Sequence, residues 1–253
     1  MTKALFSFVV ADCETTGLDP QSDRVVEVAL VRFRKGGPVE SFSTYVNPER
    51  DIPPEVSAVH GITSRDIQDA PCWPEVSPHL ASFVGPRELV VAHHANFDRS
   101  FLRCLDSRTW ACSERFARHL WHDAPSYKNQ VLRHYLGLTP NDTREQNLAH
   151  RALDDARVTG LLFAQGLREC SSRGFATDAR SIVQFIVAPV PVEVFRYGRK
   201  HYGSRIDDVP PDYLSWVLLD SRKSEAERFM AVDSDTLAAV TASVVARSET
   251  IAA

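Results

Sequence analysis

An almost wholly apolar run, Leu5–Ala11, leads directly into two closely spaced acids and constrains the fold of this chain more than any other feature. Its length and its adjacent valines predict a strand that is buried on both faces. The strand would end at Asp12, with Glu14 two residues further on. Alternate side chains of an extended chain point to the same side, so Asp12 and Glu14 are expected to share one face. Two carboxylates held together at a buried strand end repel each other, and a divalent cation would relieve that repulsion.

The segments that follow this strand predict an α/β domain. Short turns lead to two further strand-like stretches, Arg24–Arg34 and Val39–Val46, and a short buried strand is expected later in the chain at Glu88–Ala92. Periodic apolar positions predict helices at Asn96–Leu105, Asn129–Leu136 and Leu148–Arg168. The first three strands suggest an antiparallel meander, and the later alternation of strand and helix indicates a mixed sheet flanked by helices.

The chain is expected to divide into a domain at residues 3–172 and a small C-terminal accessory region at residues 182–253. The sequence Ser171–Gly174 is a plausible exit from the first domain. Beyond it, Ile182–Phe195 has a β-like composition and Tyr213–Leu219 favours a helix. The tail past Val232 is rich in Ala, Ser, Thr and Val, and is expected to be partly flexible.

Composition excludes several classes of protein without selecting one. The net charge of −4 and the pI of about 6.1 do not indicate a basic nucleic-acid-binding surface, although local clusters matter more than the total. The five cysteines form no Cys-x-x-Cys pair, which argues against a zinc site or a disulfide framework. Neither a long apolar run nor a signal cleavage site is evident, so no membrane association and a cytoplasmic location are expected.

Three further side chains could join Asp12 and Glu14 in one cleft. Asp98 lies near the start of one predicted helix, and His150 and Asp155 lie near the start of the long one. Taken alone, Asp98 and Asp155 are each explained by a favourable position of an acid in the first turn of a helix. Together, the carboxylates offer the hard oxygen ligands that Mg²⁺ prefers.

The order and spacing of these residues resemble those of the DnaQ-like (DEDDh) 3′→5′ exonucleases. The matching motifs are Val10–Leu18 (VADCETTGL), Asn96–Asp98 (NFD) and His150–Ala156 (HRALDDA), and Leu120–Leu138 also looks like this family. The resemblance covers about Leu5–Leu167, and the histidine of the third motif is typical of the His subgroup. His94 stands where the family often has asparagine, so no catalytic role is assigned to it.

This resemblance implies a ribonuclease H-like fold and hydrolysis of phosphodiesters by a two-metal mechanism. It implies two Mg²⁺ ions, with Mn²⁺ as a substitute, bound by four carboxylates: Asp12, Glu14, Asp98 and Asp155. His150 is then the expected general base, because an unperturbed imidazole is largely neutral at about pH 7–8. Contacts to the nucleic-acid substrate are expected from residues that flank the acids: Thr15, Thr16, Gly17, Leu18, Asn96 and Phe97.

A basic segment in the C-terminal region is a second candidate for nucleic-acid binding. It contains no acids and interleaves cations with two tyrosines: Arg196, Tyr197, Arg199, Lys200, Tyr202 and Arg205. This composition suits a single strand, and a solvated turn explains it equally well. The region partly resembles an accessory module of exonuclease X-like proteins, which favours DNA as the substrate.

The expected activity is therefore release of 5′-mononucleotides from single-strand DNA or duplex 3′ ends, in DNA repair or turnover. An RNA-trimming exonuclease, a proofreading subunit bound to a DNA polymerase and a catalytically silent binding module are the alternatives. Whether the chain forms a homodimer is left open.

Overall fold

The computed structural model describes residues 6–139, 151–195, 197–224 and 232–252. A five-stranded sheet is formed by β1 (Phe8–Thr15), β2 (Val25–Arg34), β3 (Gly37–Tyr45), β4 (Leu89–Ala92) and β5 (Thr109–Cys112). Its order is β3-β2-β1-β4-β5. The first three strands pair antiparallel, and β4 and β5 run parallel to β1. The predicted mixed sheet, with an antiparallel meander and added parallel strands, is confirmed.

The helices are α1 (Pro54–His60), α2 (Trp73–Phe83), α3 (Ala95–Phe101), α4 (Ser113–Leu120), α5 (Asn129–Tyr135), α6 (Ala152–Ser172), α7 (Ala179–Val187), α8 (Pro211–Ser221) and α9 (Ser234–Ala252). The helix predicted at Asn96–Leu105 is shorter than expected, because α3 ends at Phe101 and a separate 3₁₀ turn follows. The predicted long helix begins at Ala152, and its expected first residues, 148–150, lie outside the described residues. None of the helices in the described ranges is both long and apolar enough to cross a bilayer.

The central strand β1 is buried on both faces, as the sequence predicts. Phe8 and Val10 contribute to the core beneath α6, whereas Val9 and Ala11 contribute to the core beneath α2 and α3. Close approach of α6 to the sheet depends on Gly160, since a Cβ there would lie 2.0 Å from the ring of Phe33. Because helices pack on both faces of β1, its acidic end lies between α6 on one side and α2 and α3 on the other.

The chain divides into two compact units between Val187 and Ala188. The β-like interpretation of Ile182–Phe195 is wrong for its first part, because α7 extends to Val187 within the first unit. Ile182 and Ile186 are buried and four positions apart, which is the spacing of one helical face.

The second unit is built around α8 and α9. Its core contains Phe195, Tyr197, Ile206, Val209, Leu214, Val217 and Val240. Within the tail that was expected to be partly flexible, Ser234–Ala252 forms α9. The Asp233 carboxylate accepts the N–H groups of Asp235 and Thr236 at the start of this helix, and Val240 is buried.

The basic segment of the second unit does not present both of its tyrosines. Tyr197 is 1% exposed, and its hydroxyl donates to Asp220 at 2.7 Å, so this ring is not available for stacking. Tyr202 is exposed, and Arg205 lies 3.7 Å from Glu193. Arg196 lies outside the described residues.

Candidate functional site

Asp12 and Glu14 lie beyond the part of β1 that pairs with the parallel strand β4. β4 pairs with β1 only from Phe8 to Val10, so it does not reach the backbone donors near Asp12 and Glu14. Both acids are half-buried. They have the same parity along the strand as Phe8 and Val10, and therefore face the α6 side of the sheet.

Asp98 supplies a hydrogen-bond acceptor for a backbone N–H of β1 that β4 does not reach. The N–H of Cys13, between the two acids, donates to Asp98 Oδ1 at 3.1 Å. Asp98 lies in the first turn of α3 and is 5% exposed. This bond fastens the third acid to β1 itself.

Asp155 lies in the first turn of α6 and is also buried. Gln130 of α5 donates to its Oδ1 at 2.6 Å. The neighbouring Asn129 donates to the Asp155 carbonyl at 3.2 Å and to the Thr159 hydroxyl at 2.9 Å. Two side chains of α5 therefore fix the position of this fourth acid.

The four carboxylates interact electrostatically. Burial, followed by repulsion from Asp98 and Asp155, raises the pKa of Asp12 well above its ordinary value. Burial and repulsion from Asp155 raise the pKa of Glu14 to about 8, with further repulsion from Glu27 and Asp98. Burial raises the pKa of Asp98 to about 7, against the hydrogen bonds from Cys13. The structure thus brings all four predicted acids to one end of β1.

The chemistry of this donor set fits a hard divalent cation. Among the described residues, no three His, Cys, Asp or Glu side chains are close enough together to hold a metal ion by themselves. Mg²⁺ commonly takes only one or two carboxylates and completes its shell with water and substrate phosphate. An acidic cluster without a closed cage of ligands is therefore consistent with Mg²⁺ or Mn²⁺.

The loop after β1 is held by its own hydrogen bonds. The Thr15 hydroxyl donates to the Gly17 carbonyl at 2.5 Å, and the Thr16 hydroxyl donates to Asp23 at 3.1 Å. Both threonines are buried, and a Cβ on Gly17 would lie 2.4 Å from the Asp23 carboxylate. The space that a side chain at residue 17 would need is thus occupied by the Asp23 carboxylate of this chain. Leu18, at 82% exposed, presents the apolar surface of this loop.

The start of α3 offers a second flank of the site. Asn96 is exposed, whereas Phe97 is half-buried and packs against the Phe101 ring with centroids 5.1 Å apart. His94 forms an ion pair with Glu114 at 2.8 Å, and this bond raises its pKa. His150 lies outside the described residues, so its position relative to the acids is not described.

Sequence reasoning missed Glu27, a fifth acid near the cluster. It is 3% exposed on β2, directly opposite Glu14, and raises the pKa values of Asp12 and Glu14. A single acid inside the apolar stretch VVEVALV was the available signal.

Comparison with known proteins identifies the family. An exonuclease family model (RNase_T) matches residues 9–163, more than half of the chain. The chain belongs to this exonuclease family. It is a DnaQ-like 3′→5′ exonuclease, as the motifs predicted, and its sheet and flanking helices are those of ribonuclease H-like exonucleases.

Three relatives illustrate the range of this similarity. Exodeoxyribonuclease 10 of Escherichia coli (strain K12) is 32% identical over 228 residues, which cover 85% of this chain and 93% of the relative. The PolC-type DNA polymerase III of Thermotoga petrophila is 37% identical over 62% of this chain, which spans only 12% of that polymerase. A structure of exonuclease X in complex with 5′ overhanging duplex DNA is 31% identical, with a TM-score of 0.58, and the match covers 71% of this chain and 99% of that one.

Proposed function

We propose that this exonuclease depends on Mg²⁺ and removes nucleotides one at a time from DNA 3′ ends, releasing nucleoside 5′-monophosphates. The observation that carries the proposal is the convergence of Asp12, Glu14, Asp98 and Asp155 at one end of β1, where repulsion from Asp98 and Asp155 raises the pKa values of Asp12 and Glu14. Carboxylates that oppose one another's ionisation do not stabilise a fold, but they favour bound cations.

The four acids would hold two Mg²⁺ ions, with Mn²⁺ as a substitute. When bound, the ions supply positive charge that favours ionised water and stabilises charge on the phosphate oxygens. The hydrogen bonds to Asp98 and Asp155 keep these carboxylates oriented before substrate arrives, which reduces the reorganisation needed for reaction.

Neutral His150 accepts the proton of the attacking water. The water oxygen forms a bond to phosphorus, and the bond from phosphorus to the 3′ oxygen of the preceding nucleotide breaks. That oxygen takes a proton from solvent, which leaves a new 3′-hydroxyl on the shortened strand and a free 5′-monophosphate.

The similarity to Exodeoxyribonuclease 10 supports DNA as the substrate. The aligned 85% of the chain is longer than the first unit, Met1–Val187, so the similarity includes part of the second unit. The related exonuclease X binds duplex DNA with a 5′ overhang. Leu18, which follows Glu14 in the loop after β1, and Asn96, which precedes Asp98 in α3, are exposed and would contact the terminal nucleotide.

Proofreading beside a polymerase is the second candidate function, and the similarity to PolC-type polymerase favours it. In that case the chain would bind a polymerase and excise mismatched 3′ ends. Co-purification with a polymerase, and preferential removal of a mismatched terminal nucleotide, would distinguish this role from stand-alone repair or turnover.

Digestion of matched 5′-labelled DNA and RNA oligomers with Mg²⁺ tests the proposal. A ladder that shortens by single nucleotides from the 3′ end of DNA, with slower loss of RNA, is expected. Asp12→Asn should abolish metal-supported turnover. Faster digestion of RNA would overturn the choice of substrate, and near-normal activity of Asp12→Asn would remove Asp12 from the site.

A further inference from the structure

A buried acid that is not among the four proposed ligands links the sheet to the start of α6. Glu27 lies within the otherwise apolar interior of β2. In the sheet register it is opposite Glu14 on β1 and opposite Tyr45 on β3. It faces the same side of the sheet as Glu14, because both share the parity of residues in the core beneath α6.

The Glu27 carboxylate binds the two residues at which α6 begins. The Arg151 guanidinium donates to it through Nη2 at 2.9 Å and through Nε at 3.3 Å. The backbone N–H of Ala152 donates to its second oxygen at 3.1 Å. The Arg151 guanidinium also lies over the Tyr45 ring, 5.3 Å from its centroid.

Arg151 also hydrogen-bonds to the first turn of α6, which carries Asp155. The Arg151 carbonyl accepts the N–H groups of Asp154 and Asp155, each at 3.0 Å. The first N–H groups of a helix lack partners within the helix, and Ala152 has no side-chain oxygen near it from its own cap residue. Glu27 therefore supplies, from a distant strand, the acceptor that an N-cap side chain usually provides.

We infer that Glu27, paired with Arg151, is a positioning residue that sets the start of α6 and thereby holds Asp155 beside Asp12 and Glu14. The inference rests on the proposed function, since the position of Asp155 matters for hydrolysis only if its carboxylate binds metal. Arg151 explains how an acid can be buried opposite Glu14, because its guanidinium neutralises Glu27. Glu27 itself does not touch the reacting atoms.

The chain offers a closely matched control in Glu88. This carboxylate also pairs with an arginine, Arg32 of β2, at 3.0 Å, and also accepts one backbone N–H, that of Gly85, at 2.8 Å. It immediately precedes β4, whose first residue, Leu89, pairs with Phe8 at the opposite end of β1 from the acids. Glu27→Gln and Glu88→Gln therefore each remove a glutamate–arginine pair in which one partner lies on β2, one pair beside the site and the other away from it.

The test compares both variants with the wild-type full chain. Glu27→Gln is expected to lower kcat by about 10- to 100-fold, as loss of a group that orients a metal ligand commonly does, with little change in KM. It should also weaken Mn²⁺ binding in calorimetric titration and speed amide hydrogen exchange at Ala152 and Asp155. Glu88→Gln should change none of these at a comparable loss of thermal stability. Arg151→Lys keeps the charge and carries the same test if Glu27→Gln does not fold.

The results separate this inference from the proposed function. Normal kcat and exchange in Glu27→Gln, or equal losses in both variants, would overturn the positioning role while leaving the nuclease assignment intact. An inactive wild-type protein would instead count against the proposed function. The exchange rates would then decide the positioning role alone, with unchanged rates at Ala152 and Asp155 overturning it.

Discussion

Replacing Asp98 with asparagine separates the electrostatic cost of the acidic cluster from its use in binding metal. Burial raises the pKa of Asp98 from 3.8 to about 7 in the metal-free protein. A carboxyl with a raised pKa keeps its proton more firmly in the folded state than in the unfolded state. Stability is therefore lost as pH rises from about 4 through about 7, and the loss is complete above that range. Asp98→Asn cannot ionise there and escapes this loss.

The size of the effect follows from the two pKa values. Each tenfold difference between the folded and unfolded acid constants corresponds to about 1.4 kcal/mol. For Asp98 the cost to the folded state is then about 4 kcal/mol at pH 8 and roughly 2 kcal/mol at pH 5. In the variant, the Cys13 N–H would donate to an amide oxygen instead of a carboxylate. If that bond is weaker, it lowers the stability of the variant by the same amount at both pH values, so the change between the two pH values is unaffected. The stability advantage of Asp98→Asn over wild type should therefore grow by about 2–3 kcal/mol between pH 5 and pH 8.

Urea unfolding in the presence of EDTA, at pH 5 and pH 8, measures this difference. Asp106→Asn is the control, because Asp106 is an exposed acid close to the same helix and pairs with Arg99. Its effect should be small and alike at the two pH values. Adding Mg²⁺ at pH 8 should stabilise wild type more than Asp98→Asn, because a ligand stabilises the state that binds it. A variant-to-wild-type difference that does not grow with pH would refute the reasoning.

Three other substitutions test separate parts of the molecule. Gly160→Ala should lower the free energy of unfolding by about 1–3 kcal/mol, because the added Cβ overlaps the Phe33 ring; an unchanged urea midpoint would contradict this. His150→Ala should lower kcat by about 10²-fold or more, since it removes the general base. Titration calorimetry showing loss of Mg²⁺ binding in that variant would contradict the role. Tyr197→Phe should destabilise the second unit by about 1–3 kcal/mol through loss of its bond to buried Asp220, measured as a lower melting temperature.

Local patterns predicted the central strands because burial leaves a strong signal in sequence. The apolar runs of β1 and β4 are buried on both faces, and both strands were predicted. β5 was not predicted, since Thr109–Cys112 is short and only half-buried, and becomes a strand by pairing with β4. α7 was misread because a run of isoleucine, valine and phenylalanine suits either a strand or a buried helix face.

The acids of the site could be predicted because each lies at the end of an element that local sequence defines. Asp12 and Glu14 follow a buried run, and Asp98 and Asp155 lie in first helical turns. The start of α6 could not be predicted in the same way. Its cap, Glu27, is 125 residues away from Ala152, and no local pattern connects the two. Asp155 is likewise held by Gln130, whose role depends on how α5 packs.

Two backbone N–H groups explain why Asp98 and Glu27 both lie near the acidic end of β1. The short β4 leaves the N–H of Cys13 without a strand partner, and the start of α6 leaves that of Ala152 without a helical one. Asp98 satisfies the first and Glu27 the second. Both bonds hold an element that carries a proposed metal ligand against the sheet. The two acids differ in their surroundings. Arg151 forms an ion pair with Glu27, whereas the pKa of Asp98 is raised, so a bound cation would favour its ionised form. The same structural task is thus carried out by one acid that is paired with an arginine and by one acid whose proposed role is to bind metal.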